Sequence, residues 1–518
     1  MSQSMYMIGV DIGTTSTKAV LFETNGAIVA KADEGYPLYT PTSSVAEQDP
    51  DQIFRAVLHT LKGVMAQSRA KPEQVLFVAF SSAMHSVILV DGEGKPLTRS
   101  ITWGDNRSAA WADKLKRELN GHGVYLRTGT PIHPMSPLPK LMWLRHEQAE
   151  LFRKAAKFIS IKEYVFARLF GEYVVDYSIA SATGMMNLER LDWDDEALEL
   201  AGVTRERLSA IVPTTHAMRG MNAAYAEETG LGASTPFIVG ASDGVLSNLG
   251  VNAIEPGVVA ATIGTSGAIR TVVDKPVTDP KGRIFCYALT EQHWVIGGAV
   301  NNGGMILRWA RDEFAAAETE TARRLGTDPY DLLMQIAARV RPGADGLLFH
   351  PYFTGERAPL WNANARGSFF GLNLHHRKEH LIRAVLEGVI FNLYTVLLAM
   401  EENIGRPNKI LATGGFARSA LWRQIMADIF DQEVVVPESF ESSCLGAVVL
   451  GLYAIGKADS LGVVADMVGA TYEHKPDAET AAVYHRLLPI YIGVSRKLED
   501  EYEAIAQFQQ AQQALIQP

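Results

Sequence analysis

A repeat constrains this chain more than any other feature. Ile12-Gly13-Thr14-Thr15 near the start is answered by Ile263-Gly264-Thr265-Ser266, the two glycines lying 264 − 13 = 251 residues apart in a chain of 518. Apolar, β-leaning runs flank both copies, Met7–Phe22 in the first and Val258–Ile269 in the second, so each reads as a hairpin with a polar tip. A repeat spanning half the chain predicts two domains of like topology. In the first copy Gly13 permits the turn. Hydroxyls and N–H groups crowd the tip at Thr14, Thr15, Ser16 and Thr17, and Lys18 adds a positive charge. Such a tip can cradle phosphate oxygens without a helix. Asp11 ends the first strand, where a carboxylate suits Mg²⁺ held through water. Thr262 stands at the matching place in the second copy, so only one copy brings a carboxylate.

Bulk properties narrow the class. The formal net charge of −10 argues against a nucleic-acid surface and against a polybasic membrane patch. Two cysteines, Cys286 and Cys444, make neither a disulfide framework nor a metal cluster, and point to a reducing compartment. The first residues lack a basic segment followed by a long apolar core, and no apolar run approaches the roughly 20 residues that span a bilayer. A cytoplasmic enzyme or binding protein is expected.

Along the first half, Ala27–Ala30 reads as a third meander strand, and Asp49-Pro50 opens a helix whose Ile53, Val57, Leu61 and Val64 share a face. Val75–Phe80 is a buried strand, and Ser81-Ser82-Ala83-Met84-His85-Ser86 follows at its C-terminal end, where α/β sheets bind ligands. Trp103-Gly104-Asp105-Asn106-Arg107 is dense enough in polar function to hold a polyol: Asp accepts from hydroxyls, Arg donates, Trp is an apolar wall. The competing reading makes Asp105 and Arg107 an ion pair and Trp103 core. Lys162-Glu163-Tyr164 follows a short strand and borders the same region, whereas Asp192–Glu196 reads as helix-start charge. Pro236–Ala241 is a strand ending in Ser242-Asp243-Gly244, where Asp243 is either a cap or a functional carboxylate.

In the second half, Gly297–Gly304 reads as a Gly/Asn-rich connection before a helix through Trp309, Gly355–Trp361 as a loop with a Glu356-Arg357 charge pair, and Gly367–Leu372 as the approach to a helix through Ile382, Val385, Leu386 and Val389. Ile410–Thr413, the glycines Gly414 and Gly415, then Ala417 and a helix allow a flat purine or ribose to approach backbone. Gly451–Lys457 imitates a P-loop but ends a helix and lacks the following Ser/Thr, so it carries nothing. Residues from Leu498 on read as an amphipathic terminal helix.

Two longer stretches carry a family resemblance. Gly367-x-Phe369-x-Gly371-Leu372, seven residues, then His380-Leu381-x-x-Ala384-Val385-Leu386-Glu387 resembles the C-terminal signature of the FGGY carbohydrate kinases. Met135–Leu144 resembles the N-terminal signature, with His146 departing from the usual choice. The likeness spans nearly the whole chain. It implies an α/β fold of two ribonuclease H-like domains, the actin/Hsp70/sugar-kinase superfold, with a cleft between them. The implied division is residues 5–250, with the sugar site and first phosphate hairpin, 251–490, with nucleotide binding, and a helical tail, 491–518. Ser-Ser-Ala-Met-His-Ser, Trp-Gly-Asp-Asn-Arg and the stretch from Gly240 to Gly250 are most similar to the bacterial gluconokinase branch. Xylulokinases usually carry Gly where this chain has Ser86.

The resemblance implies ATP-dependent phosphorylation of gluconate on its terminal hydroxyl. Asp243 would be the general base, and His85, Trp103, Asp105, Arg107 and Asp243 would hold the substrate. ATP would lie on Gly13, Thr14, Thr15, Lys18, Gly264, Thr265, Gly414, Gly415 and Ala417. Mg²⁺ would be placed by Asp11 and Asp243 through water. The implied partners are the sugar acid and ATP, without nucleic acid or membrane, and with a homodimer as the assembly to test. The rival readings are a xylulose or other polyol kinase and, outside enzymes, an ATP-driven binding protein of the actin/Hsp70 type.

Overall fold

The computed structural model describes residues 4–437 and 441–516. Internal packing divides the chain into two units. The first comprises Met1–Pro256, Val272–Ile296 and Glu441–Gly469; the second comprises Gly257–Thr271, Gly297–Phe440 and Ala470–Pro518.

In the first unit, β1 (Tyr6–Ile12), β2 (Ser16–Glu23) and β3 (Ile28–Gly35) form the expected meander, its third strand running five residues past Ala30. β4 (Val75–Ser82) pairs parallel to β1, β5 (Ala217–Met218) is a short edge strand, and β6 (Phe237–Ser242) pairs parallel to β4. The sheet order is β5-β6-β4-β1-β2-β3. Alternation along β1 buries its two faces separately. Ile8, Val10 and Ile12 pack with Ile53, Val57, Leu61 and Val64 of α1 (Pro50–Ser68); Met7 packs with Leu445, Val448 and Val449 of the helix Ser442–Ala454. Asp49 caps α1, its Oδ1 accepting from Asp51 N and Gln52 N, with Pro50 in the first turn. Helices α2 (Ile161–Phe170), α3 (Tyr177–Ser181) and α4 (Asp243–Leu249) complete what positions the candidate site. Helix α4 crosses the helix Ser442–Ala454 at backbone distance: a Cβ at Gly250 would sit 1.9 Å from Ser442 O, and one at Gly446 would sit 2.0 Å from Leu246 O. Only glycine fits that crossing.

The second unit repeats the plan. β7 (Val258–Ile263) and β8 (Gly267–Val273) form the second hairpin, with β9 (Trp294–Val300) beside β8. β10 (Lys409–Thr413) pairs parallel to β7, β11 (Val434–Pro437) parallel to β10, and β12 (Ala470–His474) antiparallel to β11. This sheet has seven strands, the outermost being Phe285–Ala288 beside β9; the other six, in the order β9-β8-β7-β10-β11-β12, match β3-β2-β1-β4-β6-β5, including the antiparallel strands β12 and β5. The expectation of two α/β domains of like topology is therefore met.

Two expectations are corrected. Gly297–Val300 is strand rather than connection; the connection is Asn301–Gly303, leading into α5 (Gly304–Phe314). Lys162-Glu163-Tyr164 follows a short strand, Lys157–Ile159, as expected, and lies buried in the first turn of α2. The 27-residue helix α6 (Lys378–Ile404) is long and apolar enough to cross a membrane by length and composition, although no such run was expected. Its apolar window is 83% buried inside the protein, as in a core helix. Arg383 and Glu387 interrupt the apolar run and pair with each other at 2.6 Å within that core. The terminal helix is present over Glu499–Ile516; the last two residues of the expected tail lie outside the described residues.

Candidate active site

Both hairpin tips have the same construction. In the first, Gly13–Thr15 connects β1 to β2, and every carbonyl of the turn is tied back. Gly13 O accepts from Tyr36 Oη at 2.6 Å, Thr14 O from Gln48 Nε2 at 2.5 Å, and Thr15 O from Tyr36 N at 3.1 Å. In the second, Gly264–Ser266 connects β7 to β8. Gly264 O accepts from Gly304 N at 2.7 Å, Thr265 O from Gly303 N and Met305 N at 3.2 Å each, and Ser266 O from Gly264 N at 2.9 Å. Among the described residues, no hydrogen bond within the protein engages the amides of Thr14, Thr15, Thr265 or Ser266. Carbonyls turned into the protein and amides left uncommitted make an anion-binding concavity.

Behind each tip the strand ends differ in chemistry but not in geometry. Asp11 on β1 faces Ser81 on parallel β4, and Ser81 Oγ donates to Asp11 Oδ1 at 2.7 Å. Thr262 on β7 faces Thr413 on parallel β10, with 2.8 Å between their hydroxyls. Desolvation, and then the negative charge of Asp243, push the Asp11 carboxyl up to about 6. Asp11 and Asp243 thus share one electrostatic field. Lys18, opposite Asp11 in the hairpin, is held by Glu441 at 2.7 Å, and Lys31 reaches the same carboxylate at 3.3 Å.

Asp243 is the first residue of α4, immediately after the C-terminal end of β6, and its Oδ1 accepts from Gly244 N at 2.6 Å. The negative charge sits at a helix N-terminus, where the macrodipole stabilises it. His85 is buried and holds φ 69° in the left-handed region. Its Nδ1 lies 2.8 Å from Ala182 O, and since a carbonyl only accepts, Nδ1 carries the proton. The Tyr287 ring meets it edge-on at 5.9 Å between centroids.

The 103–107 cluster joins the two readings posed for it. Asp105 and Arg107 do pair, at 2.7 Å, with Glu47 2.5 Å from the same guanidinium and the Trp143 ring beneath it. Asp105 also accepts from Ala46 N at 3.0 Å and is 1% exposed. Trp103, however, is half-buried and donates through Nε1 to Thr14 Oγ1 at 2.9 Å, which ties this cluster to the first hairpin tip.

In the second unit Gly414 ends β10 with φ 94°, and a Cβ there would lie 2.3 Å from Ile263 O, so the chain leaves the sheet against the second hairpin only as glycine. Gly415 and Ala417 continue in a 3₁₀ turn, Gly415–Arg418. Asn301 and Asn302, just before α5, are held by buried Glu356, which accepts from Asn301 N at 2.5 Å, Asn302 Nδ2 at 3.0 Å, Asn392 Nδ2 at 2.8 Å and Arg357 N at 2.8 Å.

Gln48, Tyr36, Glu441, Ser81 and Glu356 were not singled out by sequence reasoning as site residues. Their partners lie far away in the chain, Lys18 and Glu441 by 423 residues. The local signals were the strand-end position of Ser81, the Glu356-Arg357 loop, and the glycine pair Gly303-Gly304, which marks close approach to the second tip.

The family models for the N-terminal and C-terminal domains of the FGGY family of carbohydrate kinases match residues 6–250 and 259–455. The chain belongs to the FGGY family of carbohydrate kinases. It is 63% identical over 505 residues to the gluconokinase of Bacillus subtilis (strain 168), covering 97% of this chain and 98% of that one. It superposes with a TM-score of 0.92 at 39% identity on the crystal structure of gluconate kinase from Lactobacillus acidophilus, over 97% of this chain and 100% of that one. A ligand-bound xylulose kinase structure from the same organism gives the same TM-score, identity and coverage.

Proposed function

We propose that this carbohydrate kinase transfers the γ-phosphoryl group of ATP to the terminal hydroxyl of gluconate, giving 6-phosphogluconate and ADP. The observation that carries the phosphate chemistry is the matched pair of tips with uncommitted amides at Thr14, Thr15, Thr265 and Ser266. The gluconate assignment is supported by the 63% identity to a curated gluconokinase.

In this reading Asp243 accepts the hydroxyl proton as that oxygen bonds to the γ-phosphorus and the bond to the bridging oxygen of ADP breaks. The transition state is loose, so positioning and charge neutralisation supply most of the acceleration. Gly13, Thr14, Thr15, Gly264 and Thr265 hold phosphate oxygens, and Gly414, Gly415 and Ala417 lie along the nucleoside. Lys18, held by Glu441, contributes positive potential near the first tip rather than a loose, mobile contact. His85, Trp103, Asp105 and Arg107 bind the sugar acid. Arg107 is already clamped between Asp105 and Glu47, so it acts as a rigid donor.

Asp11 and Asp243 fit Mg²⁺. Two carboxylates in one field suit an ion that keeps several waters and takes further oxygens from phosphates. A cation there also relieves the repulsion that raises the Asp11 carboxyl. When bound, Mg²⁺ neutralises charge on the transferring group.

A second reading, xylulose phosphorylation, is favoured by the equal superposition on a structure bearing that name. A panel of gluconate, xylulose, glycerol and water alone, with ATP and coupled ADP detection, separates these. Gluconate should give the highest kcat/KM. Xylulose matching or exceeding it refutes the substrate assignment, and full ATP turnover without any acceptor refutes the kinase reading.

A further inference from the structure

A buried polar chain lies beneath Asp243 and has no role in the reaction as described so far. Lys162, in the first turn of α2, has a side chain 2% exposed, and its Nζ lies 2.6 Å from Oδ2 of Asp176, whose side chain is 0% exposed. The same Nζ donates at 3.1 Å to Ala241 O, two residues before Asp243 on β6. Oδ1 of Asp176 caps α3 by accepting from Ile179 N at 3.0 Å. Within α3, Ser178 Oγ donates to Ser242 Oγ at 2.9 Å and accepts from Ser242 N at 3.1 Å. Just past α3, Ala182 O accepts from His85 Nδ1. One five-residue helix is therefore bolted at one end to the residue preceding Asp243 and at the other to His85, and the Lys162–Asp176 pair anchors it.

Burying both charges is costly, and pairs of this kind are seldom kept for stability alone, since apolar replacements of similar volume are often as stable. We propose that Lys162 and Asp176 are positioning residues, a buried ion pair that holds Asp243 in its catalytic orientation and, through α3, fixes His85 in the same frame. The proposal rests on the reading of Asp243 as general base.

The test compares four enzymes with gluconate and ATP: the parent, Asp243→Asn, the double variant Lys162→Met/Asp176→Asn, and the triple combination. The double variant replaces both charges at once, so no lone ion is left buried, and Asn keeps the cap on α3. A misalignment of about 1 Å costs roughly 100-fold, so kcat should fall by ~10–100-fold in the double variant. KM for ATP should stay within about twofold of the parent, because the phosphate tips are untouched. The triple variant should turn over at the Asp243→Asn rate, because the pair has nothing left to orient. A merely structural role would instead slow the parent and Asp243→Asn by the same factor, which overturns the proposal. So does an unchanged kcat in a folded double variant. If the double variant does not fold, Ser178→Ala removes only the link to Ser242 and decides the question: a lower kcat at unchanged KM for ATP supports the proposal, and parental kcat overturns it. Near-parental turnover by Asp243→Asn overturns the base reading itself, and with it this one; loss there with a parental double variant overturns the positioning role alone.

Discussion

Asp11→Asn in the metal-free protein should raise stability, and more so at alkaline than at acid pH. The Asp11 carboxyl ionises near 6 in the folded chain against an ordinary 3.8, so the fold disfavours its charged form. The sign follows from linkage: the cost is nearly absent below pH 4, grows between 4 and 6, and is complete above 6. At about 1.4 kcal/mol per tenfold change in the ionisation equilibrium, the ceiling is about 3 kcal/mol. Asp11 is partly solvent-exposed, and counterions will offset some repulsion by Asp243, which leaves roughly 1–2 kcal/mol at pH 8. At pH 5 the gain should be about half that. Asn keeps an oxygen for the Ser81 hydroxyl, so the substitution removes charge without removing that bond. The assay is thermal unfolding with EDTA at pH 5 and pH 8, read as a shift of a few degrees in the first transition. Adding MgCl₂ and ATP should then stabilise the parent more than Asp11→Asn. A variant less stable than the parent at pH 8, or equally stabilised at both pH values, refutes the claim that Asp11 carries a repelled charge.

Three further outcomes follow from named contacts. Gly414→Ala forces a Cβ into Ile263 O, so ATP affinity measured by calorimetry should fall by about tenfold or more while gluconate binding holds. Glu356→Gln turns one donor toward neighbouring donors at a cost of about 1–3 kcal/mol; loosening Asn301-Asn302 and the Gly303-Gly304 brace should raise KM for ATP and leave KM for gluconate unchanged in steady-state kinetics. Trp103→Phe deletes the donor to Thr14 Oγ1, worth about 0.5–1.5 kcal/mol, so kcat/KM should drop roughly 3–10-fold with little change in Tm.

What was legible in the sequence was local or repeated. Asp49-Pro50 announces a helix start because capping needs only neighbours, and Asp194 likewise caps the acidic helix start expected at 192–196. The Gly-Thr tips announced themselves by recurring, and the paired sheets bear out the topology they implied. What was hidden depends on chain-distant partners. Nothing near Lys162 says that it meets Asp176 in the core, and nothing near Thr14 says that Gln48 and Trp103 hold it. Glycine-rich β9 reads as a connection because glycines leave no side-chain alternation to detect. The helix through Ile382, Val385, Leu386 and Val389 was legible from its spacing, but the full length of α6 was not, because Arg383 and Glu387 break its apolar run while neutralising each other inside the core.

The repeated sheet plan sets what the two halves share and where they differ. Two copies of one sheet supply the same tool twice: a three-residue tip whose carbonyls are tied inward, backed by a parallel strand whose last residues touch the tip's own strand. In the proposed function that tool holds phosphate through backbone amides, independent of the side chains, so both copies could keep it. Charge is another matter. Opposed residues Asp11 and Lys18 in the first hairpin become Thr262 and Ala268 in the second. A second carboxylate at position 262 would add negative charge beside an anion-binding tip and weaken it, whereas a hydroxyl bonded to Thr413 costs nothing electrostatically. Thr262→Asp should therefore preserve the fold of the second unit, since the position is only half-buried, yet reduce ATP affinity at low salt, with part of the loss recovered as ionic strength rises. Parental affinity in that variant across salt concentrations would mean that the second tip does not meet phosphate, and the symmetry would then be architectural alone.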